Sequence, residues 1–367
     1  MSTSDASAAR IITVTLAIAP DGSVSLQDEA ARPARVSLDE AAATPVPARA
    51  AERDAPFDAD YSRRAGYDPA FLGDAYAQVP LPQLQPALQQ QAARLLGQPE
   101  DGGDCELKYH HFSVIMHARR RLAILSAANI SAGARFQISR PSDKWRLDPR
   151  IDSAAQLDNF YYQSNKFDRG HLTRREDLEF GASPIAALQS AADTCHWTNC
   201  APQHERFNQG AQLWQGLERF VLEEGIYENR LNIQVFTGPV LAEDDPVYAR
   251  FPEIGYPLRF WKVVVAPMGE ARLSATGYLL DQSDVVKQHG VEIAPPFGQY
   301  RTFQVALDEI EALTGLRFAY RRADGTPGSL AEFDPLRAPQ ALPLEGPAER
   351  QPPVRRVRLR GFGDIVL

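Results

Sequence analysis

Apolar and polar side chains alternate from the start of the chain: Ile12, Val14, Leu16 and Ile18 are separated by smaller or polar residues over 11–18, which predicts a strand. A Pro20-Asp21-Gly22 turn and a short alternating run over 23–27 complete a small N-terminal β-hairpin. From about Asp28 to Asp60 the residues are mostly Ala, Pro, Arg and Asp with almost no aromatics, the pattern of a linker or loose arm. Anchors return with Tyr61, Tyr67, Phe71 and Leu72. Residues 86–96 then have helical spacing, with Pro86 in the first turn and Gly97 as the stop.

From Leu107 the pattern turns strand-like: Tyr109, Phe112, Val114 and Met116 lead into Arg119-Arg120-Arg121, and 122–130 is a second apolar run. Runs at 231–240, 260–265 and 273–280 are also β-rich, whereas 213–222 and 305–313 have helical spacing. There is no regular β-α alternation. The expectation is an α+β fold whose central sheet is rich in antiparallel strands and flanked by helices, with the N-terminal hairpin as an extension. A Pro-rich stretch, 337–353, precedes a basic strand-like tail, 354–367.

Composition narrows the class. The 367 residues are 44% hydrophobic and 23% charged, which excludes a wholly disordered or fibrous chain. No stretch approaches the length of a membrane span, so no membrane partner is expected. Residues 11–19 end in an Ala17-Ile18-Ala19 triplet like an export cleavage site, but Thr13 and Thr15 interrupt the apolar run and Asp5 offsets the one preceding basic residue, Arg10. The strand reading is preferred. Three cysteines, Cys105, Cys195 and Cys200, are too few for a disulfide-stapled secreted scaffold, which points to a reducing, cytoplasmic setting.

The net charge of -8 argues against a protein that coats a polyanion, but the charge is segregated. Residues 1–104 carry 8 Lys/Arg against 15 Asp/Glu, and 176–367 carry 18 against 26, whereas 105–175 carry 13 against 6. A basic stretch inside an acidic chain is the pattern of a polyanion-binding cleft, although it also describes a solvated face.

That stretch contains Asp168-Arg169-Gly170-His171, preceded by Phe160-Tyr161-Tyr162 and followed by Leu172-Thr173-Arg174-Arg175-Glu176. Downstream lie Asp193-Thr-Cys-His-Trp-Thr-Asn199-Cys-Ala-Pro-Gln-His-Glu-Arg-Phe-Asn208-Gln-Gly and Leu213-Trp214-Gln-Gly-Leu217-Glu218. Cys195, His196, Cys200 and His204 have a spacing that matches no ordinary structural zinc site. Together these segments resemble the DNA/RNA non-specific endonucleases, the ββα-metal or His-Me finger nucleases. Phe236-Thr-Gly-Pro-Val240 and Thr314-Gly-Leu316 extend the resemblance over roughly 105–320, and 61–73 look like the upstream extension of bacterial members.

The residue pattern and the resemblance together give an expected organisation of 1–58 as hairpin and Pro/Ala-rich arm and 337–367 as a Pro-rich tail, both outside the resemblance, with 59–336 as the endonuclease domain. The resemblance implies hydrolysis of DNA and RNA phosphodiesters, leaving 5′-phosphate ends. His171 would be the general base, for which imidazole has a suitable pKa. Asn208 would be the direct ligand of one Mg²⁺, with Mn²⁺ able to substitute, because such hard ions prefer oxygen donors and keep several waters. Glu218 would hold metal-bound water and Arg169 would pair with the scissile phosphate. Arg140, Lys144 and Arg174 are candidates for further phosphate contacts, and Asp168 and Asn199 for support behind the site.

Trp214 follows Asn208 by six residues where many members have four, so a straight helix would separate Asn208 from Glu218 by about 15 Å along its axis. Gly210 allows a helix to start beyond Asn208. The rival class is a nucleic-acid-binding or toxin-like interaction protein that keeps the nuclease fold as a scaffold. A homodimer fits family habit, and the acidic 1–58 segment could engage a regulatory or inhibitor protein.

Overall fold

A computed structural model of the chain describes residues 16–18, 24–26, 57–99, 103–136, 138, 144–163, 165–204, 231–269, 271–284, 286, 301–337 and 356–359. The chain divides into two compact units, Met1–Ala48 and Arg49–Leu367. In the first, β1 (Leu16–Ile18) pairs antiparallel with β2 (Val24–Leu26), Leu16 opposite Leu26.

The second unit is built on an eight-stranded sheet. Its strands are β3 (Glu106–Lys108), β4 (Phe112–His117), β5 (Leu122–Ile130), β8 (Ile233–Pro239), β9 (Arg259–Met268), β10 (Arg272–Asp281), β11 (Arg301–Val305) and β12 (Arg356–Leu359). Their spatial order is β12-β11-β10-β9-β8-β5-β4-β3, and every pairing is antiparallel. Between β5 and β8 in sequence lies a separate antiparallel pair, β6 (Phe167–His171) with β7 (Cys200–His204). The fold class is therefore α+β with an antiparallel central sheet, as the sequence predicts.

Both faces of the sheet are covered, so all nine positions of β5 are buried, seven of them apolar and two, Ser126 and Asn129, polar. Alternate residues still serve opposite faces. Val114, Ala128, Val235, Phe260 and Tyr278 pack on one side with Leu172, Leu178, Phe180 and Ala201 from around the β6–β7 pair. Their neighbours Ile115, Ala127, Phe236, Trp261 and Leu279 pack on the other side with Leu307, Ile310, Leu316 and Phe318. Burying one such large side chain is worth roughly 1.5–3 kcal/mol. The helix over Leu307–Thr314 lies on that second face and ends where Gly315 takes a left-handed φ of 71°.

Two local expectations are revised. The helix predicted over 86–96 stops at Gln91, because Ala92 turns extended and Ala93 donates its N–H to the Met116 carbonyl at 2.8 Å. Pairing with the end of β4 wins over helix propensity there. The run beginning at Leu107 is broken into two strands by a tight tip at which His111 has φ 67°. Arg119-Arg120-Arg121 forms the β4–β5 turn, and Arg120 is spent internally. It pairs with Asp245 and donates to the carbonyls of Ala242 (2.7 Å) and Gly255 (3.2 Å).

His117, 5% exposed, accepts at Nδ1 from the Arg120 N–H (3.2 Å), so its Nε2 carries the proton donated to Gln91 Oε1 at 2.8 Å. Burial, with help from the Arg120 and Arg119 charges, pushes its pKa down from 6.5 to about 4. The unfolded imidazole takes a proton near pH 6.5 while the folded one refuses it until about pH 4. The contribution is thus complete above pH 6.5 and is lost as pH falls toward 4, by roughly 3 kcal/mol. Urea midpoints at pH 7.5 and 4.5 should show a smaller acid loss for His117→Gln than for the parent; equal losses would remove the assignment.

Candidate active site at the β6–β7 hairpin

The Asp168-Arg169-Gly170-His171 tetrapeptide forms most of β6. Its register with β7 sets Asp168 opposite Gln203, Arg169 opposite Pro202, Gly170 opposite Ala201 and His171 opposite Cys200. A strand alternates its faces, so Arg169 and His171 share one side of the hairpin, and Asp168, Gly170 and Gln203 share the other. The glycine has a steric cause: a Cβ at Gly170 would lie 2.3 Å from Cδ and Oε1 of Gln203. Gln203 itself is fully buried, and its amide has no hydrogen-bond partner among the described residues.

His171 ends the strand, half-buried. Its ring lies 4.8 Å from that of Trp145, tilted by 48°, and its Nε2 is 4.0 Å from the Cys195 thiol. Trp145 in turn lies 5.1 Å from Trp197. Arg169 is exposed, donates to Asn159 Oδ1 at 2.6 Å and holds its guanidinium 5.5 Å from the Trp197 ring. An imidazole and a guanidinium thus face the same way, two residues apart.

Behind them Asn199 is fully buried and makes four hydrogen bonds. Its Oδ1 accepts from the Thr173 N–H (2.9 Å) and Ser126 Oγ (3.2 Å), and its Nδ2 donates to the carbonyls of Thr173 (2.8 Å) and Thr194 (3.0 Å). One amide therefore joins the segment after His171, the end of the Pro184–Asp193 helix and β5. Asp168 is half-buried on the Gln203 side.

The remaining sequence candidates fare differently. Lys144 is exposed near Trp145, and its carbonyl accepts from Arg146 at 2.7 Å. Arg174 is nearly buried and its charge is met within its own turn, by Glu176 at 2.6 Å and Asp177 at 3.8 Å. Asn208, Glu218 and Arg140 lie outside the described residues. Among the described residues no three His, Cys, Asp or Glu side chains converge as a metal site.

Sequence reasoning passed over Trp145, Gln203 and the Cys195–His171 contact. Gln203 had a signal in the Ala201-Pro202-Gln203 run downstream of Asn199, whereas Trp145 meets His171 only through the tertiary fold. His196 and His204 are buried in the fold, and Cys200 lies 3.3 Å from the Tyr162 hydroxyl; burial pushes its thiol up to about 12 against the lowering effect of that hydrogen bond. None of the helices among the described residues is long and apolar enough to cross a membrane.

Comparison with known proteins adds the family. The sequence profile of the DNA/RNA non-specific endonucleases matches residues 90–325. Uncharacterized protein y4fB of Sinorhizobium fredii is 37% identical over 274 residues, covering 71% of this chain and 39% of that protein. The match thus spans about two fifths of that relative. Nuclease C1 of Cunninghamella echinulata is 24% identical over 203 residues, 53% of this chain and 73% of its own. Among solved structures, that of the EndoG/EndoGI complex aligns with a TM-score of 0.44 and 20% identity, over 59% of this chain and 85% of that one. With the family profile matching well over half of its length, the chain belongs to the DNA/RNA non-specific endonuclease family.

Proposed function

We propose that this chain is a metal-dependent, sugar-non-specific endonuclease in which His171 is the general base. The observation that carries the reading is the shared face of β6, where half-buried His171 and exposed Arg169 stand two residues apart in the basic 105–175 region. His171 takes a proton from water as the water oxygen attacks phosphorus, and the P–O3′ bond breaks to leave a 5′-phosphate. Arg169 pairs with the scissile phosphate through its fork of donors. Asn208 would ligate one Mg²⁺ or Mn²⁺, which would polarise the phosphate and stabilise the leaving oxygen, and Glu218 would hold its water.

Digestion of plasmid and of RNA tests the reading, with Mg²⁺, with EDTA and with His171→Ala. Cleavage of both polymers that EDTA abolishes is expected. Binding without cleavage would instead support a scaffold or interaction protein. Asn208→Ala should raise the Mg²⁺ concentration needed for half-maximal rate as well as lower the maximum; an unchanged Mg²⁺ titration would remove Asn208 from the metal.

If the 105–175 region grips phosphates, affinity for a noncleavable duplex should fall steeply with salt, on the order of 10³-fold from 50 to 200 mM if about six phosphates are contacted. Scrambling the duplex sequence should change little. A flat salt response, or strong preference for one short sequence, would contradict phosphate-driven binding.

A further inference from the structure

Residues 57–64 lie upstream of the stretch that the family profile matches, yet they are built into the unit that carries His171. Arg64 reaches Asp193 with a bidentate fork: Nε donates to Oδ2 at 2.8 Å and Nη2 to Oδ1 at 2.9 Å, with both side chains 1% exposed. Two more of its five donors are used as well, on the carbonyls of Asp60 (2.9 Å) and Asp58 (2.8 Å). Its guanidinium sits 3.9 Å from the Tyr61 ring. This guanidinium is fixed in place rather than available to a ligand.

Tyr61 grips the next turn of chain. His196 must donate from Nδ1 to the Asp193 carbonyl (2.7 Å), because a carbonyl only accepts, so its Nε2 accepts from the Tyr61 hydroxyl at 2.8 Å. Phe57 packs on the same imidazole at 5.7 Å and under the Arg146 guanidinium at 4.0 Å. The 193–199 turn is held from further directions by His110 Nδ1 on Asp193 Oδ2 (2.7 Å) and by backbone bonds from Arg146 to Cys195 and from Trp197 to Arg146.

That turn forms part of the surroundings of His171. Cys195 contacts its Nε2, Trp197 packs on the Trp145 that packs on its ring, and Asn199 fixes Thr173 two residues beyond it. We infer that Arg64 and Tyr61 are positioning residues for His171, acting from outside the family-matched stretch through Asp193 and His196. The inference rests on His171 being the base. The backbone of the turn transmits the effect, since neither side chain touches the imidazole of His171. A shift of the turn by an ångström would misorient the ring while leaving the exposed Arg169 beside it in place.

The test uses the full chain with Arg64→Lys, which keeps the charge but loses the fork, and Tyr61→Phe, which removes one hydroxyl. Each is measured on duplex DNA well below its melting temperature, alone and in a His171→Ala background. Each should lower kcat by roughly tenfold with KM within about twofold, and should cost nothing further once His171 is gone, because residues acting through one group are not additive. Should Arg64→Lys fail to fold, Tyr61→Phe carries the same comparison. Unchanged kcat in either folded variant, or a loss that adds in full to that of His171→Ala, overturns the inference while leaving the nuclease reading intact. A parent chain that cuts neither DNA nor RNA overturns both.

Discussion

His171→Ala should lower kcat on DNA and RNA by 10²–10⁴-fold, the range typical of a positioned general base, while affinity for a noncleavable duplex stays within about twofold. That loss is about 3–5 kcal/mol of barrier. The split between rate and binding follows from placement. His171 is half-buried at the end of β6 against Trp145, whereas Arg169 beside it is exposed and, on the proposed reading, would carry the charge that attracts phosphate. Alanine therefore deletes the proton acceptor and leaves the electrostatics in place. Arg169→Ala should do the reverse in part, weakening both binding and rate. Single-turnover cleavage with fluorescence anisotropy separates the two, and a His171→Ala protein that cuts at the parent's rate would remove the imidazole from the chemistry.

What the sequence made legible divides by the range of the interaction. Strands with strong alternation or unbroken apolar runs were readable because burial on a sheet imposes period two locally, as in 231–240 against the observed Ile233–Pro239 and 273–280 against Arg272–Asp281. The end of the 86–96 helix was not, since what stops it is pairing with residue 116, distant in sequence. The same holds at the site. Asp168 to His171 are adjacent in the chain and announce themselves, but Gly170 is explained only by Gln203, on the partner strand. Arg64 and Asp193 are 129 residues apart and carry no local mark of being paired. Arg174 looked like a phosphate ligand in a basic stretch, yet the acidic residues that meet it are only two and three positions on. Reading charge by segment hid that neighbourhood.

Asn199→Ala should be among the most destabilising single changes in the second unit, by on the order of 4 kcal/mol. Truncation strands the Thr173 N–H and the carbonyls of Thr173 and Thr194, and each buried polar group left without a partner costs about 1–3 kcal/mol. Total domain stabilities are roughly 5–15 kcal/mol, so the melting temperature should fall visibly and activity with it. Asn199→Asp separates the hydrogen bonds from mere volume. Its carboxylate can still accept from the Thr173 N–H and Ser126 Oγ, but it faces two carbonyls that the amide satisfied as a donor. Only the protonated acid can donate there, and full burial also disfavours the charge, so the folded pKa rises above the unfolded value of about 3.9. The stability of the variant relative to the parent is then best at acid pH and is lost as pH rises through the raised folded value, the opposite sign to the acid loss at His117. Urea denaturation of parent and variant at pH 5 and pH 8 reads this directly: the deficit of Asn199→Asp should be larger at pH 8. A deficit independent of pH would mean that the side chain at 199 does not face those carbonyls, and that the brace behind His171 is built some other way.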